Sequence, residues 1–530
     1  MTVGRASLVM ALMIALSRLT GFGRMMLVSH LYGIGPQAAA FEAAFNIPDT
    51  ITILIAGGAL ATGFVPVFTE LISQGRQAEA QRTFRAMWTL LGCAFGLITI
   101  VLFALTYTSW GQLLAPVEFR HDAQYMRFFS HLLRILLVAQ FFFVLGGLFT
   151  GTLNALRRFW YPALQPVVFN LGIIIFGLAL PHFLGMGIES QAWGALIGAI
   201  VGSLLIQAPA VVRNGLSLRP LWDLNDEGVR RVLVSLLPIV FGLASGQIIA
   251  LNLARFFATN ALPTGELPTI GYANRLMQVP LDLLASGPAI ALYPTLSLLA
   301  SQGNNKEMQA QLTQTLRRSL LMTLLATALL ASLRVPIIGL LLQHGEFDAR
   351  ATAHTAPVLA CYALCIVGLG AQQLLSRGFY AMGQTRPPIV AGAISVLVFG
   401  ALAFASLKVA PAAWSLALCA AIATSLLSVL MARALRQTWG GWDNGATIRV
   451  LVCGGAAALA AFAASSAVVV LFGRAGTIGK TADVLAILLG SIVAVGTFII
   501  VASLFHLPEI DALTSRFRRK KKINQENKQP

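Results

Sequence analysis

Apolar runs of about twenty residues follow one another along almost the whole chain, and only 11% of its 530 residues are charged. A run of that length crosses the hydrocarbon of a bilayer as a helix, at about 1.5 Å per residue. Within lipid every backbone N–H and C=O has to be satisfied inside the spanning structure, which leaves helices or closed barrels. Barrel strands are half as long, so these runs are helical. A soluble domain would carry about 25% charged residues. The fold class expected is all-α, a polytopic membrane protein of about fourteen transmembrane helices. Hydropathy places them at 6–32, 38–73, 80–108, 124–155, 160–184, 190–212, 228–258, 270–302, 308–343, 352–382, 387–408, 413–436, 447–472 and 483–507. The first run is too long and too interrupted for a cleaved signal peptide and is expected to be a retained span.

The formal net charge of +17 would suggest nucleic acid in a soluble chain. Here the bases collect at span ends, which points to topology and lipid contact and to no nucleic-acid partner. Arg76, Arg82, Arg85, Arg157, Arg158, Arg213, Arg219, Arg230, Arg231, Lys306, Arg317, Arg318, Arg386, Arg433 and Arg436 fall on the side of the N-terminus. The opposite loops hold Arg120, Arg350, Lys408, Arg474 and Lys480. The positive-inside rule then puts both termini in the cytoplasm. The run Arg516 to Lys522 after the last span is either a contact with anionic lipid or a plain stop-transfer anchor.

An internal repeat is visible. Pro66 is followed by Ser73-Gln74-Gly75 and Pro294 by Ser301-Gln302-Gly303 at the same spacing. Gly151 with Pro162, and Gly378 with Pro387-Pro388, match in step. An even number of spans separates the matching points, so the halves share orientation and are related by a pseudo-two-fold along the membrane normal. The expected domains are an N-lobe of six helices over 1–218, a C-lobe of six over 219–440, a helix pair over 441–508 and a polybasic tail over 509–530.

Charge inside the spans is the functional signal. Arg18 lies about a dozen residues into the first run, where a cation costs roughly 2.5–3.5 kcal/mol on insertion scales. Arg18 and Arg24 would point about 120° apart on a straight helix, and Gly21 and Gly23 between them permit a bend that aims both at one cavity. The second span repeats the device with Pro48 and Gly57-Gly58, and the eighth with Arg275, Pro280 and Asp282. Interrupted helices carrying buried arginine are the sequence sign of an anion site in a transporter. Arginine suits that task because its fork stays charged and binds phosphate bidentately. The alternative for Arg18, Arg24 and Arg275 is an interhelical salt bridge or snorkelling. Arg127, Arg134 and Arg255 are expected to be structural or lipid-facing.

Glu42 and Asp49, seven residues apart, share a helix face and would pair with Arg24 or bind a coupling cation. Asp49 after Pro48 would equally cap a restarted helix. Gly146-Gly147 is expected to serve close helix packing. The five cysteines fall in apolar runs without metal spacing, and the seven histidines are scattered; no cofactor and no metal are expected. No phosphate-binding loop, His-Glu-x-x-His or Gly-x-Ser-x-Gly is present, which removes the common ATPase and hydrolase mechanisms and points away from an enzyme.

In Ser17-Arg18, Gly21-Phe22-x-Arg24, Phe41-x-x-Ala-Phe45-x-x-Pro48, Gly58-Ala59, Phe64-Val-Pro66, Tyr272-Ala-Asn-Arg275-Leu-Met, Gln343-His-Gly-Glu-Phe347 and Gly378-Phe-Tyr380 the chain resembles the MurJ (MviN) lipid II flippases, within the multidrug/oligosaccharidyl-lipid/polysaccharide exporter superfamily. The resemblance implies fourteen helices, two lobes around a cationic cavity, a groove beside the last two helices for a polyprenyl tail, and Arg18, Arg24 and Arg275 as diphosphate ligands. Glu42, Asp49, Asp282 and Asn274 are the candidate coupling or gating residues. The chain departs from the family pattern where Met25, Gly57, Asn274 and Gln278 stand in place of acids and Thr52 in place of an arginine.

The function expected is a flippase moving undecaprenyl-diphosphate-disaccharide-pentapeptide to the outer leaflet of the bacterial inner membrane by alternating access. Its partners would be that lipid or a related sugar lipid, membrane lipids and other cell-wall synthesis proteins. The alternatives are another oligosaccharide-lipid flippase, a multidrug antiporter, which would need an acidic cavity, or a non-transporting assembly partner. A polyprenyl-phosphate glycosyltransferase would need an acidic pair in a sizeable outer loop, and the loop near Ser109 to Asp122 is short.

Overall fold

The computed structural model describes residues 3–55, 63–234, 252–441, 445–474 and 479–509. Gly57, Gly58, Ala59 and the run Arg516 to Lys522 lie outside them. The described residues form α1 (Val3–Tyr32), α2 (Pro36–Ile55), α3 (Val65–Ser73), α4 (Gln77–Leu105), α5 (Ala123–Ala155), α6 (Trp160–Leu184), α7 (Glu189–Arg213) and α8 (Ala254–Ala261). There follow α9 (Glu266–Ser301), α10 (Asn305–Ser332), α11 (Arg334–Leu341), α12 (Ala349–Ala381), α13 (Arg386–Val409), α14 (Ala413–Thr438), α15 (Gly445–Arg474) and α16 (Lys480–Leu504).

The all-α expectation holds, and among the described residues ten helices are long and apolar enough to cross a bilayer. Counting α10 and α11, which meet at 71°, as one crossing gives eleven. Pro336, which has no N–H to give, lies just past that bend. The expected fourteen is not reached by this test. The other three stretches are α1 and the two that contain residues 56–62 and 235–251, outside the described set.

The repeat is matched bond for bond. After α3, the N–H groups of Gln74, Gly75 and Arg76 donate to the carbonyls of Glu70, Ile72 and Leu71 at 3.0, 3.1 and 3.0 Å. After α9, Gln302, Gly303 and Asn304 donate to Leu298, Ala300 and Leu299 at 3.1, 3.1 and 3.0 Å. Gly75 (φ 73°) and Gly303 (φ 69°) both sit in the left-handed region that glycine enters without penalty. Two helix ends with the same hydroxyl, amide and glycine thus stop in the same way.

The chain divides into two compact units. Unit 1 holds the described residues up to Gly271, with Leu342–Ala351 and Leu407–Ala413. Its core gathers Phe64, Phe68, Phe84, Met87, Val144, Phe149 and Val211. Polar contacts join α5, α6 and α7: Thr150 Oγ1 donates to Gln207 Oε1 (3.0 Å), Gln207 Nε2 to Gln165 Oε1 (2.6 Å), and Gln165 Nε2 to Ser203 Oγ (3.1 Å). Such side chains hold helices together where lipid offers no hydrophobic drive. Gly146 makes room for them, since a Cβ there would lie 2.3 Å from Ser203 Oγ. The motif Gln343-His-Gly-Glu-Phe347 belongs to this unit, with Glu346 N–H donating to His30 O at 2.9 Å and Phe347 fully buried. Unit 2 holds the rest from Tyr272 onward, around Leu312, Leu316, Phe379, Leu427, Met431 and Phe498. All five cysteines are free thiols, with Cys365 and Cys419 buried and Cys93 exposed.

Candidate functional site

Arg18 and Arg24 stand on α1 in unit 1 and Arg275 on α9 in unit 2. Arg18 is exposed and Arg24 half-buried, its guanidinium carbon 5.9 Å from the centre of the Phe169 ring on α6. The break expected at Gly21 and Gly23 is not one: α1 runs unbroken from Val3 to Tyr32. What these glycines provide is room for α6. A Cβ on Gly21 would lie 3.3 Å from Asn170 Nδ2, and Asn170 itself donates to Ser17 O at 3.3 Å. Likewise α2 passes through Pro48 without stopping, so Asp49 does not cap a restarted helix. Pro280 does mark a change, because α9 widens into a π-type turn over Asp282–Ser286 two residues later. There Ser286 Oγ donates to Asp282 Oδ1 at 3.0 Å.

Arg255, expected to be structural or lipid-facing, is the most deeply buried arginine among the described residues. Arg255, on α8, is 1% exposed and forms a salt bridge through Nη2 to Glu42 Oε2, equally buried. Its Nη1 lies 3.7 Å from Asp49 Oδ2, so one guanidinium serves both acids of the α2 face. Thus Glu42 and Asp49 face one guanidinium, as their shared helix face implies, and Arg255 supplies positive charge to both. Polar neighbours extend the seam: Asn252 Nδ2 donates to Thr50 Oγ1 at 2.5 Å, and Thr50 Oγ1 to Asn46 O at 2.6 Å. Asn46 Oδ1, Asn252 Oδ1, Arg255 Nε and Thr259 Oγ1 are buried without a hydrogen-bond partner among the described residues. The pair leaves no space beside α9, where a Cβ on Gly271 would stand 2.8 Å from Glu42 Oε2 and 3.1 Å from Arg255 Nη2. The signal available in sequence was the intramembrane arginine itself; its partner, 213 residues away, was not legible.

On α9 Arg275 is half-buried, between fully buried Tyr272 and half-buried Gln278. Gln278 Nε2 donates to Asn274 Oδ1 at 2.6 Å. The amides of Asn274 and Gln278, one helical turn apart, are therefore each other's partners, a neutral pair.

In unit 2 an apolar groove of about 860 Å³ is lined by Leu316, Leu320, Val367, Leu375, Val429 and Leu451, with Arg433 and Arg436 beside it near the end of α14. Its wall includes α15, one of the last two helices. The lining is mostly apolar, with the two arginines at one end of it.

Comparison with known proteins decides the family. The model of the family described as "Lipid II flippase MurJ" matches residues 28–506. The chain belongs to this family. A relative from Burkholderia cenocepacia, "Lipid II flippase MurJ", is 29% identical over 405 residues, covering 75% of this chain and 77% of its own. One from Rhizobium meliloti, "Probable lipid II flippase MurJ", is 30% identical over 394 residues, with 73% and 72% covered. Among solved structures, one titled "Lipid II flippase MurJ, inward closed conformation" superposes with a TM-score of 0.75 at 20% identity, covering 94% of this chain and 99% of its own. An inward-facing MATE-family multidrug transporter superposes at 0.67 with 16% identity, over 80% of this chain and 94% of its own. Both share the fold.

Proposed function

We propose that this chain carries lipid II, the undecaprenyl-diphosphate-linked disaccharide pentapeptide, from the cytoplasmic to the outer leaflet by alternating access. The chemistry is transport, with no covalent step. The observation that carries the reading is family membership over residues 28–506; Arg18, Arg24 and Arg275, the diphosphate ligands that the sequence resemblance implies, are the residues we propose for the contact. Arg24 is half-buried in an apolar helix against an aromatic face, where low dielectric strengthens its attraction for phosphate. The groove of unit 2 would take the start of the polyprenyl chain. Glu42, Asp49, Asp282 and Asn274 serve gating rather than contact with the lipid, and no cofactor takes part. We place the chain in the bacterial inner membrane with both termini cytoplasmic, on the distribution of basic residues. We retain the lobes 1–218 and 219–440, the helix pair 441–508 and the tail 509–530 as working domains, and a link to other cell-wall synthesis proteins.

The test is lipid II translocation in proteoliposomes holding the full chain. Arg18→Ala, Arg24→Ala and Arg275→Ala are each expected to lower turnover at least tenfold while melting like the parent. Turnover unchanged in all three removes the arginines from the site; no translocation by the parent chain removes the flippase reading and leaves an assembly role.

A further inference from the structure

Where α4 ends and α5 begins, an open pocket of about 790 Å³ is lined by Arg120, His121, Arg127, His131 and Arg134, together with Tyr107. Arg127, His131 and Arg134 follow at steps of four and three on α5 and so share one helix face. Along the axis Arg127 and Arg134 are about 10 Å apart. No carboxylate lines the pocket among the described residues. The two nearest acids in sequence are engaged with backbone: Asp122 Oδ1 accepts from the N–H of Gln124 (2.8 Å) and Tyr125 (3.2 Å), and Glu118 Oε2 from that of Thr264 (2.9 Å).

All three guanidiniums are held by neutral groups, Arg127 through Nε to Ala123 O at 3.2 Å. Arg134 Nε donates to Thr106 Oγ1 at 2.7 Å, and its guanidinium carbon lies 3.6 Å from the centre of the Tyr107 ring. Arg120 donates to Ala115 O at 3.1 Å and to Asn260 Oδ1 at 2.5 Å. Positioned and not neutralised, they form a receptor for an anion. Depth and surroundings identify the kind of anion. Tyr107 and Trp110, 68% and 65% exposed, form the aromatic signature of a membrane–water interface, and α4 exposes the apolar Ile100 and Leu97 about two to three turns deeper. With the N-terminus cytoplasmic, this end of α4 faces outward, where the positive-inside rule disfavours arginine unless it has a use.

We infer that this pocket holds the phosphate of a lipid head group in the outer leaflet. The same chemistry is offered by a polyprenyl-diphosphate lipid after its crossing and by an anionic phospholipid. The outward placement rests on the orientation proposed above; the binding does not.

The test uses the purified full chain in phosphatidylcholine nanodiscs, with phosphatidylglycerol or lipid II added in separate arms and retained lipid counted by native mass spectrometry. Arg127→Gln/Arg134→Gln is expected to lower retention at least tenfold, Arg127→Lys/Arg134→Lys to keep most of it, and both to melt like the parent. Loss in the lipid II arm alone assigns the site to the transported lipid; loss in both arms assigns it to lipid phosphate in general. Retention in Arg127→Gln/Arg134→Gln equal to the parent overturns the site. Sidedness is read from Ser109→Cys in a background without the native cysteines, treated in whole cells with a membrane-impermeant thiol reagent. Labelling is expected; protection of that thiol overturns the outer-leaflet placement and with it the proposed orientation, whatever the retention shows.

Discussion

Arg255 is 1% exposed, and a guanidinium so placed persists only against a carboxylate. Removing one partner leaves a buried uncompensated charge, which costs about 3–5 kcal/mol, whereas replacing both by apolar groups of similar size is close to neutral. Glu42→Ala is therefore expected to cut thermal stability sharply, and Glu42→Leu/Arg255→Met to recover most of it, as measured by melting in detergent. Equal melting of Glu42→Ala and the parent would mean that the pair holds nothing together. Gly271→Ala tests the same spot by volume. Its Cβ would enter within 2.8 Å of Glu42 Oε2, and crowding a packed core costs about 1–3 kcal/mol. Sequence gave good notice of the α2 face, because Glu42 and Asp49 are two turns apart. It could not show that the glycine before Tyr272-Ala-Asn-Arg275 is there to clear that ion pair, since the three residues meet only in the fold.

Helix α6 connects packing to the candidate site. On its one side Gly172 meets α7 so closely that a Cβ on Gly194 would lie 2.6 Å from Gly172 O, and one on Gly198 2.9 Å from Phe169 Cα. On the other, Phe169 stands beside Arg24 and Asn170 bonds to Ser17. Gly198→Ala must push α6 at residue 169 and so displace the ring that faces the arginine. Lipid II turnover is expected to fall severalfold although no charged group has changed. Gly92→Ala, which has nothing within 4 Å of the added methyl, is the control. Equal turnover in the two variants would show that α6 does not position α1. The role of glycine on these helices is partly legible: Gly146 packs as expected, whereas Gly21 and Gly23, which would permit a bend, lie in a helix that runs on unbroken. A glycine's spacing shows that close approach is allowed, while choosing between a bend and a neighbour needs the neighbour, and Asn170 lies on another helix.

For the molecule as a whole the repeat was the most legible feature, because the Ser-Gln-Gly turns are local and end α3 and α9 by the same three hydrogen bonds. The limits of the compact units were not. One chain segment passes from unit 1 to unit 2 at Gly271, inside α9, and the loop Leu342–Ala351 returns to unit 1. Hydropathy sees span ends and cannot see which span a loop packs on. The energetics of the whole cycle follow from charge. A diphosphate-bearing lipid moving outward carries negative charge down an inside-negative potential, worth about 2.3 kcal/mol per charge per 100 mV. The cationic residues stay with the protein. At 274 and 278 the two amides bond to each other as a neutral pair. An anionic head group moving outward is therefore expected to draw work from the potential itself. In proteoliposomes, an inside-negative potassium diffusion potential is expected to speed outward lipid II movement several times over, with or without a sodium gradient. A rate that follows sodium and ignores the potential would return the driving role to a bound cation, with Asp49 and Asp282 as the carboxylates to test first.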